Sequence, residues 1–220
     1  GVDGASEFAR WMHPTRQAHG LALDLGDDEP RFYQRAFDGA LWLALWPSIL
    51  LASFGDRLLP LWLDRPVSGA MAFGFAAVLP LAAIAFVSGQ WLIPRGGHAL
   101  VANVVRLEAL LVLVATAVLW PSLGVLAPLV ALVVAQVLMT ATRLPAACCR
   151  SIGAPVAPWL TRRLTIAMLV SLPGLVLALG LAVLRPPKST AETLLTATFV
   201  TVAHALASVT WWNVSARRGE

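Results

Sequence analysis

Six apolar runs constrain this 220-residue chain more than any other feature: 36–54, 67–93, 99–120, 125–142, 164–184 and 191–212. Each is close to the roughly 20 residues that a helix needs to cross the hydrocarbon core of a bilayer. None alternates polar with apolar residues as barrel strands do, so the backbone must satisfy its own hydrogen bonds as helix. Composition agrees: 58% of residues are apolar and 13% charged, and mean hydropathy is +0.75, whereas a water-soluble domain carries about 25% charged residues. A disordered chain, a secreted disulfide scaffold and an ordinary water-soluble enzyme are thereby excluded. The expectation is an all-α integral membrane protein, a six-transmembrane-helix bundle over 36–212. A loop or amphipathic segment, 1–35, precedes it, and a tail, 213–220, follows. The breaker-rich stretches 55–66, 94–98, 121–124, 143–163 and 185–190 separate the spans.

The net charge of +4 does not point to nucleic acid, because an excess of Arg in a membrane protein reports topology. Six spans place twelve Lys and Arg residues on one side, among them Arg10, Arg35, Arg95, Arg150 and Arg218, and four on the other: Arg57, Arg65, Arg185 and Lys188. Both termini are therefore expected in the cytoplasm. Trp42, Trp62, Trp91, Trp120, Trp159, Trp211 and Trp212 fall near span ends, where indole suits the headgroup region. The adjacent Cys148 and Cys149, in an Arg-rich segment, are expected as reduced thiols. No zinc spacing, Walker loop, HExxH or Ser-His-Asp order is present, so neither an enzyme nor a cofactor or metal site is expected.

An ionisable group at mid-bilayer costs roughly 2.5–3.5 kcal/mol on insertion scales, which makes it a functional candidate by default. Glu108, nine residues into the third span, lies about 13 Å deep. It either binds a coupling proton or substrate sugar, or is a structural carboxylate paired with Arg106 or a neighbouring helix. Asn103 and Arg106 share one helix face; Arg106 either holds phosphate oxygens or snorkels to the surface. Gln136, Thr140 and Arg143 form one polar stripe on the fourth span, a candidate cavity lining. Thr201, His204 and Ser208 form another on the sixth, where interhelical hydrogen bonding is the favoured reading. Pro47, Pro80, Pro128 and Pro173 are expected to bend four spans, and Gly174 with Ala178 makes a packing pair.

The order of features also resembles a known family. Pro14, Gly26-Asp27, Arg35, a span with Pro47, then Phe54-Gly55 and Leu59-Pro60-Leu61-Trp62-Leu63 is similar to the second half of polysaccharide flippases. That family belongs to the superfamily of multidrug, oligosaccharidyl-lipid and polysaccharide exporters. Gly89-Gln90 through Arg95-Gly96-Gly97, Arg106-Leu107-Glu108-Ala109-Leu110 and Pro121-Ser122-Leu123-Gly124 also resemble its central helices. The likeness covers about residues 10–150. Asp64 departs from it, standing where the family has Gly, and so does Pro128, where a Gly-small pair is usual.

The resemblance implies the C-terminal lobe of a bacterial inner-membrane flippase that exports a polyprenyl-diphosphate-linked glycan by alternating access. Further N-terminal helices, in the same chain or a separate half, and membrane lipid would be its partners. Multidrug export and a non-transporting scaffold subunit are the competing readings. On the leading one, Glu108, Arg106, Asn103, Gln136, Thr140, Arg143 and His204 are the substrate or coupling residues.

Overall fold

A backbone in lipid has no water to bond, so the chain closes its hydrogen bonds within helices. The computed structural model describes residues 29–184 and 186–217, and among these no strand occurs. Seven helices follow one another: α1 (Glu29–Leu63), α2 (Gly69–Leu92), α3 (His98–Leu123), α4 (Ala127–Leu138), α5 (Thr140–Ser151), α6 (Val156–Leu184) and α7 (Thr190–Arg217). Short 3₁₀ turns, Ile93–Arg95 and Gly124–Leu126, join α2 to α3 and α3 to α4. Among the described residues, five stretches are long and apolar enough to cross a membrane: Pro30–Leu63, Gly69–Arg95, His98–Ser151, Val156–Leu184 and Thr190–Thr210. The protein is a membrane helical bundle. The segment 1–28, residues 218–220, and the side chains of Trp211 and Trp212 lie outside the described residues.

Helices run past the apolar runs that mark them. The expected loop 55–66 is helical up to Leu63, and 143–163 is helical except for four residues between Ser151 and Val156. Hydropathy marks the part of a helix that suits lipid; the charged and proline-bearing turns of the same helix suit the interface. Pro128 lies in the first turn of α4, where its missing N–H costs nothing. It is thus no mid-span bend, unlike Pro47, Pro80 and Pro173, which sit inside α1, α2 and α6.

The packing centre is α1, which touches α2, α6 and α7. One end is closed by aromatic rings. Tyr33, fully buried, stacks on Trp159 with centroids 5.5 Å apart and leans on Trp91 at 5.1 Å, while Phe37 meets Trp159 edge-on at 5.0 Å. The Tyr33 hydroxyl shares a 3.0 Å hydrogen bond with Ser88 Oγ. Cys148 donates from Sγ to the Ser88 carbonyl at 3.5 Å, and both cysteines are buried free thiols. Trp91 and Trp159 therefore fill the core here, whereas Trp62 and Trp120 are exposed as interfacial anchors should be. Towards the far end, Trp46 Nε1 donates to Thr201 Oγ1 at 3.0 Å, and Arg57 donates to the Pro187 carbonyl.

Small residues set the other contacts. Ala127, Ala131 and Ala135, all fully buried, make a small-residue seam along α4, and from another face of that helix Leu129 presses on α2, where a Cβ on Gly74 would lie 2.3 Å from Leu129 Cδ2. At Gly124, φ +51° and ψ −126°, a conformation open to glycine alone, turn the chain so that α4 packs back along α3. Helix α3 is peripheral: Val104 is its one fully buried residue.

Candidate functional site

Although α2 and α3 are consecutive, they barely touch, because both pack instead on α4 and α5. The gap between them is an open groove, a surface cavity of about 340 Å³. From α2 it takes Phe86 and Gln90, from α3 Val101 and Glu108, and from α4 and α5 Gln136 and Thr140. Most of the wall is apolar, with Ala82, Ala85 and Ile93 among it.

Three polar atoms stand out against that wall. Glu108 Oε2, Gln136 Oε1 and Thr140 Oγ1 are all buried and have no hydrogen-bond partner in the protein. Gln136 is 8% exposed and Thr140 4%. A buried, unpaired polar group costs about 1–3 kcal/mol, so three in one cavity are a large expense unless a ligand meets them. Their convergence has a local cause. Gln136 lies in the last turn of α4 and Thr140 starts α5, and Met139 between them has φ −111° and ψ −83°. The break keeps both side chains on the cavity side, and Glu108 faces them from α3, ten residues or about 15 Å from its start. Broken helices are where membrane carriers commonly place their binding sites.

The remaining expected site residues lie elsewhere. Arg106 and Asn103 are exposed on the outer face of α3, since Arg106 is two residues, some 200° of turn, from Glu108. No ion pair joins Arg106 to Glu108 among the described residues. Arg143 does not continue the stripe of Gln136 and Thr140; it is exposed, and Leu144 takes the cavity position. His204 is buried between α6 and α7, with Gly174 beneath its ring; a Cβ there would lie 3.1 Å from Nδ1. It is remote from the cavity lining. Its neighbour Thr201 bonds Trp46 and the Ala197 carbonyl, and Ser208 donates to the His204 carbonyl, so that stripe is a packing seam. Gly174 and Ala178 are buried in the same seam.

Two polar features escaped the sequence. Gln90 lines the cavity yet stands at the end of its span, where a polar residue is unremarked. Asp38 carried a clear signal, a carboxylate within an apolar run. Arg163 donates to it at 2.7 Å and to Gln34 Oε1 at 2.9 Å, which ties α6 to α1. Gln34 and Asp38 are spaced i, i+4 and so share a face.

No group of His, Cys, Asp and Glu suited to a metal ion occurs among the described residues. Comparison with family models, with curated proteins and with solved structures gives no match for this chain.

Proposed function

We propose that the chain is one lobe of a membrane transporter that moves a lipid-linked oligosaccharide across the bacterial inner membrane by alternating access. One observation carries the reading: the groove between α2 and α3, where three polar residues, Glu108, Gln136 and Thr140, each with a buried oxygen that has no partner in the protein, line an otherwise largely apolar space. Unpaired buried hydroxyls also occur at Ser53 and Ser171; what sets Glu108, Gln136 and Thr140 apart is that they line one groove, and a carrier needs groups that a hydroxyl-bearing cargo can meet and leave.

Backbone geometry lends the family resemblance some support. Asp64, which stands where the flippase pattern has Gly, has φ +51° and is the one non-glycine residue with positive φ among those described. Left-handed backbone is what glycine provides most easily and Asp tolerates. The cavity lining includes no Arg or Lys, so this cavity takes the sugar, and the diphosphate lies outside it.

The test is glycan export in the cell that makes this protein. Glu108→Gln and Gln136→Ala should each lower surface polysaccharide about tenfold or more, with lipid-linked precursor accumulating and protein level unchanged. Full export by both variants sinks the assignment.

A further inference from the structure

The outer face of α3 carries a charge that the protein does not answer. Arg106 and Asn103 lie one turn apart on it, both exposed, and neither has a hydrogen-bond or ion-pair partner among the described residues. Around them the surface is apolar, with Val105, Leu107, Leu110 and Leu113 from 44% to 70% exposed. In a chain that spans a membrane, such a face meets lipid. A guanidinium is never deprotonated in a protein, so its charge has to be met where it stands. Nothing nearby in the chain meets it: Glu108 is the only carboxylate on α2, α3, α4 and α5, and it points to the other side of α3. We propose that Arg106 and Asn103 hold the phosphodiester of an anionic bilayer phospholipid, such as phosphatidylglycerol, on the outer wall of α3.

Depth decides what can reach the pair. Helix α3 has 26 residues, about 39 Å at 1.5 Å each, against roughly 30 Å of hydrocarbon. Arg106 lies about 12 Å from the helix start at His98, which is inside the hydrocarbon edge when the helix is centred. Side chains on a helix lean towards its N-terminus, so the Arg106 guanidinium is carried back past Asn103 towards the level of lipid phosphates. There its fork of N–H donors suits phosphate oxygens bidentately, and the Asn103 amide adds donors of its own. Ala99 and Ala102, exposed on the same side of the helix, have no atoms beyond Cβ to fill the space beside the pair. Leu110 and Leu113 continue the face towards mid-bilayer, where acyl chains lie. Inorganic phosphate, strongly hydrated, is excluded at this depth.

This lipid site requires a membrane-spanning α3 and nothing about cargo, which the groove on the other side of the helix would take. The full chain, purified in mild detergent, is titrated with phosphatidylglycerol and with a glucosyl diacylglycerol of the same chains, and bound lipids are counted by native mass spectrometry. The first phosphatidylglycerol should bind about tenfold or more tighter than the phosphate-free lipid. Arg106→Gln should reduce that preference to under about twofold. Arg106→Lys, which keeps the charge without the fork, should retain part of it, and Asn103→Ala should weaken it several-fold. Arg150→Gln, which removes an exposed charge from the last turn of α5, should change it by less than about twofold. Equal binding of the two lipids by the unaltered chain overturns the proposal, even if every variant fails to fold. Equal losses in Arg150→Gln and Arg106→Gln overturn it too, since the attraction would then be general to the basic end. So does displacement of the tight phosphatidylglycerol by an equimolar polyprenyl phosphate, which would give the face to a cargo lipid. Displacement by millimolar inorganic phosphate has the same force, because the pair would then stand in water.

Discussion

Three carboxylates enter the apolar runs of this chain; Glu192, in the first turn of α7, accepts from the Lys188 backbone N–H, and the surroundings of the other two give them different work. Asp38 has its partners: the Arg163 guanidinium forks onto its carboxylate at 2.7 Å and onto Gln34 at 2.9 Å. Glu108 has none on its buried oxygen. A charge held by a fitted partner is structural, and a charge held by nothing awaits one. Arg163→Ala should therefore destabilise the bundle by about 2 kcal/mol, between the value of an exposed pair and that of a fully buried one. Arg163→Lys should recover less than half, since an ammonium cannot fork across two acceptors. Thermal unfolding in detergent checks both, and an unchanged midpoint for Arg163→Ala would show the bridge to be ornamental. Sequence reasoning singled out Glu108 by depth and passed over Asp38; what gives Asp38 its structural role is a residue 125 positions away.

At the scale of elements, existence was legible and extent was not. Long apolar runs announce helices, but α1 continues nine residues past Phe54 through Asp56, Arg57 and Pro60, and α5 carries Arg143, Pro145 and Arg150. These turns are helical because they continue or pack on helices already formed, a cause that lies outside their own composition. Arg106 shows the complementary strength of periodicity: a two-residue offset from Glu108 places it on the opposite side of α3, as the spacing requires.

Close approach between elements is equally invisible in sequence. Gly39 and Gly55 are both glycines within α1. A Cβ at Gly39 meets nothing within 4 Å, whereas one at Gly55 comes 2.6 Å from Ala72 Cβ of α2. Gly39→Ala should stabilise the protein by about 0.5–1 kcal/mol through helix propensity. Gly55→Ala gains the same propensity but must push α2 away, at a cost of about 1–3 kcal/mol for overpacking, and should be net destabilising. Opposite signs for one substitution in one helix, read from thermal midpoints, are the expected outcome. A rise in both midpoints would place the α1–α2 contact further apart than the structure has it.

For the whole molecule the open quantity is how often the stretch His98–Ser151 crosses the bilayer. At 54 residues it is far longer than one span needs, and its ends are fixed by neighbours. Tyr33 touches both Trp91, at the end of α2, and Trp159, at the start of α6, so α2 ends and α6 begins beside the first turns of α1. The bond from Arg57 to the Pro187 carbonyl puts the end of α1 and the loop after α6 together at the other end. The stretch between therefore leaves from one end of the bundle and returns to it, which requires an even number of crossings. Within it, Val101 and Leu144 line the same cavity, as do Glu108 and Gln136 deeper in, so the outward leg α3 and the return leg α4–α5 run alongside each other. Two crossings here would make six in all, and the Lys and Arg bias would then put the end bearing Arg31, Arg95, Arg150 and Arg162 in the cytoplasm. Single cysteines report this directly, because Cys148 and Cys149 are buried and should stay silent towards a membrane-impermeant maleimide. Ser68→Cys, Ser122→Cys and Ser189→Cys should label from outside the cell, while His98→Cys and Ala157→Cys should label only after the membrane is opened. Labelling of Ser122→Cys with the His98 group would mean that α3 and α4 dip in and return without crossing. The cavity at Glu108 would then open to one compartment only, and a transport role for it would fail with the sixth span.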